Sequence, residues 1–119
     1  MRQKFKEVRH KYNAREVAVD GKKFPSKAEA EHYLLLRDRQ KRGEISGLEC
    51  QRKFTIVEPQ TYGRKHLRER YYIADFVYYE KGHLIVEDVK GYKRGVAYQL
   101  FTLKKALMLQ KYGIWVREV

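Results

Sequence analysis

Ile73-Ala74-Asp75-Phe76-Val77 and Ile85-Val86-Glu87-Asp88-Val89-Lys90-Gly91 are two apolar runs interrupted by acids. Both are rich in β-branched and aromatic residues and read as strands, Tyr71 to Glu80 and Leu84 to Val89. The chain turns between them at Lys81-Gly82, and a hairpin closed there sets Asp75 across from Asp88. Side chains two apart on a strand share a face, so Asp88 and Lys90 point one way while Glu87 and Val89 point the other. A slip of one residue would exchange Asp88 for Glu87, but the spacing to Lys90 argues against it. Two carboxylates and an ammonium therefore converge, and burying bare carboxylates is costly unless a metal or a donor compensates them.

Outward from this pair, the apolar patterns supply the remaining elements. Leu48, Cys50, Phe54 and Ile56 recur at period two and predict a strand from Leu48 to Val57, interrupted on that face by Arg52. Ser26-Lys27-Ala28-Glu29 has the Ser-x-x-Glu form of a capping box after Pro25, and predicts a helix from Lys27 to Arg42 that stops at Gly43. Arg37, Arg39, Lys41 and Arg42 suit the negative end of its dipole. Before it, Asp20-Gly21 predicts a small hairpin over Glu16 to Phe24. A basic connection, Glu58 to Glu69, leads into the first acidic strand. Gly91 and Gly95 bracket a basic loop before a second helix, Ala97 to Tyr112, ended by Gly113. Ile114 to Val119 reads as a last short strand. The order is helix, three strands, helix, strand: an α/β fold with a mixed sheet flanked by helices and a small N-terminal hairpin. The length of 119 residues suits one domain over 1–119, with residues 1–14 as a basic arm that needs no fixed structure of its own.

Twenty-seven Lys and Arg against fifteen Asp and Glu leave a formal charge of +12, which favours a polyanionic partner such as DNA. The cations gather in the arm (Arg2, Lys4, Lys6, Arg9, Lys11), in Arg64 to Arg70, and at Lys93-Arg94. Each run alone could be a solvated surface. Together, with Tyr12, Tyr62 and Tyr92 interleaved, they resemble a phosphate-binding surface, with Lys11, Arg64, Lys65, Arg68, Lys93 and Arg94 as candidate contacts. No apolar run is long enough for a membrane span and the start is not signal-like, so a cytoplasmic location is expected. The single cysteine, Cys50, makes no internal disulfide, and no Cys/His cluster has zinc spacing. The four histidines pair with no acid at a recognisable spacing.

Two hard oxygen ligands suit Mg2+ or Mn2+, and a metal held there can polarise a phosphodiester and activate water. Lys90 would orient that water and offset developing charge. The plainer alternative makes Asp75 and Asp88 positions on a half-exposed sheet and Lys90 a partner in a routine ion pair. The preceding Asp, the hairpin and the basic composition favour the metal site.

Asp75 followed by Asp88-Val89-Lys90 in the next strand resembles the motif of the PD-(D/E)xK nucleases, with Ala74 where the nominal proline would stand. The likeness extends to small phage-encoded nucleases related to Holliday-junction resolvases. It is carried by Phe24 to Ala30 (Phe-x-Ser-Lys-x-Glu-Ala), Gln51 to Phe54, Ile73-Ala74-Asp75-Phe76 and Val86 to Gly91. This resemblance implies a restriction-endonuclease-like core, metal binding by Asp75, Asp88 and the carbonyl of Val89, hydrolysis of DNA, branched DNA as substrate, and a homodimer that cuts two strands. It also implies a third acid from the first helix, at Glu29. The helical wheel sets Glu29 near Tyr33 and Leu36 beside the apolar stripe, and Glu31 opposite it. Glu29 is equally the last member of the capping box, and the two roles stay open.

Lys104, within the apolar arc of the second helix, either contacts phosphate or snorkels past the core to solvent. Gln51, Lys53 and Gln99 are further candidate contacts near the site, although hydrogen bonding at a strand edge or helix surface explains the two glutamines equally well. Two other functions compete with a junction-cutting enzyme: a nicking or end-processing nuclease of the same fold, and a basic nucleic-acid-binding protein without catalysis.

Overall fold

The computed structural model describes residues 6–9 and 15–119, and the chain divides into two compact units, Met1–Glu44 and Ile45–Val119. The first contains strands β1 (Lys6–Arg9), β2 (Arg15–Val19) and β3 (Lys22–Phe24), joined as an antiparallel sheet, and helix α1 (Lys27–Lys41). Asp20 and Gly21, both at positive φ, close the expected hairpin between β2 and β3. Val17, Val19 and Phe24 are buried from the strands, and Ala30, Tyr33 and Leu36 from the helix. The rings of Phe24 and Tyr33 lie 5.1 Å apart. Asp20 ties the turn to the helix by accepting from Tyr33 Oη at 3.2 Å and Arg37 Nη1 at 2.7 Å. The helix ends as Gly43 predicts: Gly43 N bonds Gln40 O and Glu44 N bonds Arg39 O, which satisfies two of the last carbonyls. β1 falls within the stretch expected to be an arm; its four residues pair with β2. Lys11 and Tyr12 lie outside the described residues.

The second unit holds β4 (Ser46–Val57), β5 (Gln60–Tyr62), β6 (Lys65–Leu67), β7 (Arg70–Glu80), β8 (His83–Asp88), helix α2 (Gly95–Tyr112) and β9 (Arg117–Glu118). Its main sheet runs β4-β7-β8-β9, antiparallel except for the parallel pair β8 and β9. A parallel neighbour requires a crossover, which α2 supplies. One core forms from Phe54, Ile56, Tyr72, Ala74, Val77 and Val86 of the strands, Phe101 and Met108 of α2, and Val116 ahead of β9. Gly113 at φ 68° caps α2, its N–H returning to Leu109 O.

The expected α/β order of helix, three strands, helix and strand is present as α1, β4, β7, β8, α2 and β9. The connection from Glu58 to Glu69, expected as a loop, instead contains the small antiparallel ribbon β5-β6. The last strand is also shorter than expected, because only Arg117 and Glu118 pair with β8.

Met108 is fully buried between helix and sheet. Met108→Ala should cost about 2–5 kcal/mol through lost burial and the cavity left behind, read as a lower urea midpoint at unchanged slope.

Candidate active site

β7 and β8 pair residue by residue from Glu80 with His83 up to Phe76 with Glu87. One step beyond, side chains take over from the backbone. Asp75 N donates to Asp88 Oδ1 at 3.3 Å, and Val89 N donates to Asp75 Oδ2 at 2.9 Å. Each acid thus accepts an amide from the other's strand, which holds the two carboxylates together where the ladder would otherwise fray. Asp88 is only 4% exposed. Its second oxygen, Oδ2, takes the Lys90 ammonium at 2.7 Å. That ammonium also sits 4.0 Å from the centre of the Phe101 ring on α2, a cation–π contact that holds it in the half-buried site.

β4 contributes from the other side. Between the pairs Arg52–Ala74 and Cys50–Phe76, Gln51 stands across from Asp75 with φ at 56°. A left-handed backbone is uncommon for a residue with a side chain. Here it accompanies a hydrogen bond from Gln51 Nε2 to Asp75 Oδ1 at 3.3 Å.

β9 orients the backbone between Asp88 and Lys90. Val119 N donates to Asp88 O at 2.9 Å, and Lys90 N donates to Val119 O at 3.1 Å. Successive residues of an extended chain direct their amide groups to opposite sides. Val89 therefore turns both its N–H and its carbonyl away from β9, toward Asp75. The N–H is used by Asp75, and among the described residues the carbonyl accepts no hydrogen bond. The Asp75 and Asp88 carboxylates and the Val89 carbonyl are hard oxygen donors, the ligand type that magnesium or manganese takes.

Tyr72 is a further neighbour. Its hydroxyl is buried and has no hydrogen-bond partner of normal geometry. Burial foremost, then the charge of Asp88 and a hydrogen-bonding approach to it, then the charge of Asp75, push the phenol far above its ordinary range. Strand alternation alone would set Tyr72 and Asp75 on opposite faces. The core takes Tyr72 and Ala74 and then Val77, so the alternation breaks between them, opposite Gln51. Nothing in the sequence marks that break.

Glu87 lies on the opposite face of β8 from Asp88, buried, and its Oε2 accepts from Tyr78 Oη at 2.8 Å. Glu29 belongs to the first unit. It is 4% exposed, its N–H is capped by Ser26 Oγ at 3.1 Å, and Glu31 is exposed. Lys53 is exposed on β4, its ammonium 4.7 Å from the Tyr71 ring. Lys93 and Arg94 are exposed ahead of α2, with Lys93 3.9 Å from Glu118. Lys104 lines an apolar groove of about 230 Å³ with Ile56, Val57, Leu100, Leu103 and Leu107, as a snorkelling lysine would.

The model of one protein family, described as "Protein of unknown function (DUF1064)", matches residues 9–117. The chain belongs to that family. The match takes in Gln51, Asp75, Asp88, Val89, Lys90 and Phe101, and ends ahead of Glu118 and Val119. No curated protein and no solved structure matches the chain at a significant level.

Glu118, paired in register with Asp88, secures the β9 edge of the site. It accepts from Tyr98 Oη at 2.7 Å and Lys105 Nζ at 2.9 Å. Hydrogen bonds from Lys105 first and Tyr98 next hold its carboxyl below the usual 4.5. A lowered folded-state value means that Glu118 contributes stability above the unfolded value and loses it as pH falls through the lowered one. Glu118→Gln should therefore lower stability at neutral pH and reduce its acid-induced loss below about pH 4.5, read from urea midpoints across that range. An acid limb identical to wild type would contradict this.

Proposed function

We propose that this chain is a metal-dependent endonuclease that hydrolyses phosphodiester bonds in DNA. The observation that carries the reading is the reciprocal clasp of Asp75 and Asp88, with Lys90 2.7 Å from Asp88 and the uncommitted Val89 carbonyl turned to the same side. Asp75, Asp88 and Val89 would hold magnesium or manganese, which when bound supplies Lewis acidity toward the phosphodiester. The chain's own groups do the rest. Hydrolysis joins a water oxygen to phosphorus and releases a sugar oxygen, and negative charge grows on the phosphoryl oxygens between. Lys90, immobilised by Asp88 and Phe101, presents remaining N–H donors to the incoming water or to that charge without reorganising. Exposed cations of the chain, including Lys53, Lys93 and Arg94, offer contacts to the DNA backbone that are independent of sequence.

The resemblance to the PD-(D/E)xK nucleases supports the same chemistry and suggests branched DNA as substrate, cut by a two-fold dimer. A nicking or end-processing activity would use the same groups. A non-catalytic nucleic-acid-binding protein is the reading from another class, favoured by the Lys90–Asp88 ion pair if that pair is purely structural. Labelled junction, nicked, flap and linear DNA, each with magnesium or with chelator, separate these readings. Only a nuclease gives metal-dependent product.

Asp75→Asn and Asp88→Asn should each reduce cleavage at least about a hundredfold, the scale of losing one transition-state contact, while DNA binding stays equal or tightens. Turnover at the wild-type rate in either variant would refute the mechanism. For Glu29, which the resemblance suggests as a third acid, Gln can keep the capping interaction. Glu29→Gln should retain the folded helix by circular dichroism and lose activity; full activity would leave capping as its role.

A further inference from the structure

The segment from Glu58 to Arg68 is exposed throughout, yet it is ordered as the two-stranded ribbon β5-β6. Gly63, at φ 60°, begins the two-residue turn Gly63-Arg64 between Tyr62 and Lys65, which are paired across the ribbon. Gln60 pairs with Leu67 and Thr61 with His66. Alternation then puts Tyr62, Lys65 and Leu67 on one face, and Thr61 and His66 on the other. Tyr62 is 85% exposed and Leu67 53%. A bare two-stranded ribbon has no core of its own and is marginal in water. Tyr62 in particular leaves most of its ring to solvent, where it buries little against the ribbon.

Charge is segregated along the same ribbon. Its acids are used at the base, where Glu58 pairs with Lys111, and Glu69 accepts from Tyr71 Oη and from Thr55 Oγ1. Among the described residues Arg64, Lys65 and Arg68 make no ion pair. Arg64 and Lys65 therefore make the outer part of the ribbon cationic, with Tyr62 next to the turn, and Arg68 adds a third cation at the base beside Glu69. Phosphates satisfy such cations, an exposed Tyr ring offers a stacking surface to a base, and a two-stranded ribbon is thin enough to enter a DNA groove. In intact duplex the bases are already stacked on one another, so only a base exposed at a nick, gap or branch can take the ring without paying for unstacking.

We infer that β5-β6 is the element that recognises discontinuous DNA, with Arg64, Lys65 and Arg68 on phosphates and Tyr62 stacked on an unstacked base. The inference rests on the nucleic-acid reading of the chain and leaves the cleavage chemistry aside. An acidic protein would satisfy the cations but gives no reason for the exposed ring to prefer one DNA form over another.

The test measures binding of the full-length protein in chelator, by anisotropy of labelled intact duplex and of the same duplex with a one-nucleotide gap carrying 2-aminopurine beside it. Tyr62→Ala should weaken binding to gapped DNA about tenfold or more, the scale of one base–aromatic stack, and leave intact duplex within about twofold. Tyr62→Trp should restore gapped binding and the quenching of 2-aminopurine. Neutralising Arg64, Lys65 and Arg68 to Gln together should reduce the slope of log affinity against log salt by about 2–3 on both DNAs. An equal effect of Tyr62→Ala on both DNAs, no effect on either, an unchanged salt slope, or wild-type protein that binds neither DNA would overturn the inference. Cleavage is absent from this assay. Inactive chemistry with intact gap preference would sink the nuclease reading alone, and metal-dependent cleavage without gap preference would sink the ribbon reading alone.

Discussion

The exchange in which Asp75 gives its amide to the Asp88 carboxylate and takes the Val89 amide on its own holds the centre of the second unit together. A strand pair that stops in the middle of a sheet leaves buried amides unpaired, and an unpaired buried amide costs on the order of 1–3 kcal/mol. Here the two amides that would be lost, those of Asp75 and Val89, are satisfied by the opposing acids. The acids in turn bring charge into a place where Asp88 is buried, and that charge needs a cation. Lys90 supplies one, held by Phe101 from α2. Removing either acid therefore disturbs a hydrogen-bonded backbone as well as a charge, and stability has to be measured beside activity in any variant of this pair.

The surrounding structure maintains this arrangement from three directions. β4 brings Gln51 to Asp75 at the cost of a left-handed backbone. β9, secured by Glu118, fixes which way the Val89 carbonyl points. α2 provides both the crossover that makes β9 a parallel neighbour and the ring under Lys90. A site built on paired strands with locked neighbours is geometrically defined before any ligand arrives, which limits the reorganisation that chemistry would demand.

Most of this frame was legible because local signals agreed with tertiary structure. Asp20-Gly21 and Lys81-Gly82 turn the chain at positive φ, Ser26 caps α1, and Gly43 and Gly113 end the helices. The order of elements and the meeting of Asp75, Asp88 and Lys90 followed from period-two alternation. Three features escaped. The β5-β6 ribbon buries no face, so it leaves no apolar period to read. β1 lies among charged residues that gave the stretch the look of an arm. Tyr72 was hidden because alternation, the rule that found the acids, fails next to them.

The same acids have a consequence for the chain before it is folded. His83 to Val86 begins a strand of concentrated β-propensity, and β8 lies between β7 and β9 rather than at an edge. Without interruption, such a segment would be a template for intermolecular pairing whenever it was exposed during folding. Glu87, Asp88 and Lys90 follow it directly, and their charges oppose stacking of one copy on another. Once folded, Tyr78 takes the first and the clasp takes the second. A neutralising substitution at Asp88 would therefore remove both a charge that opposes intermolecular pairing and a hydrogen-bond acceptor of the folded sheet, two separate routes to a lower soluble yield.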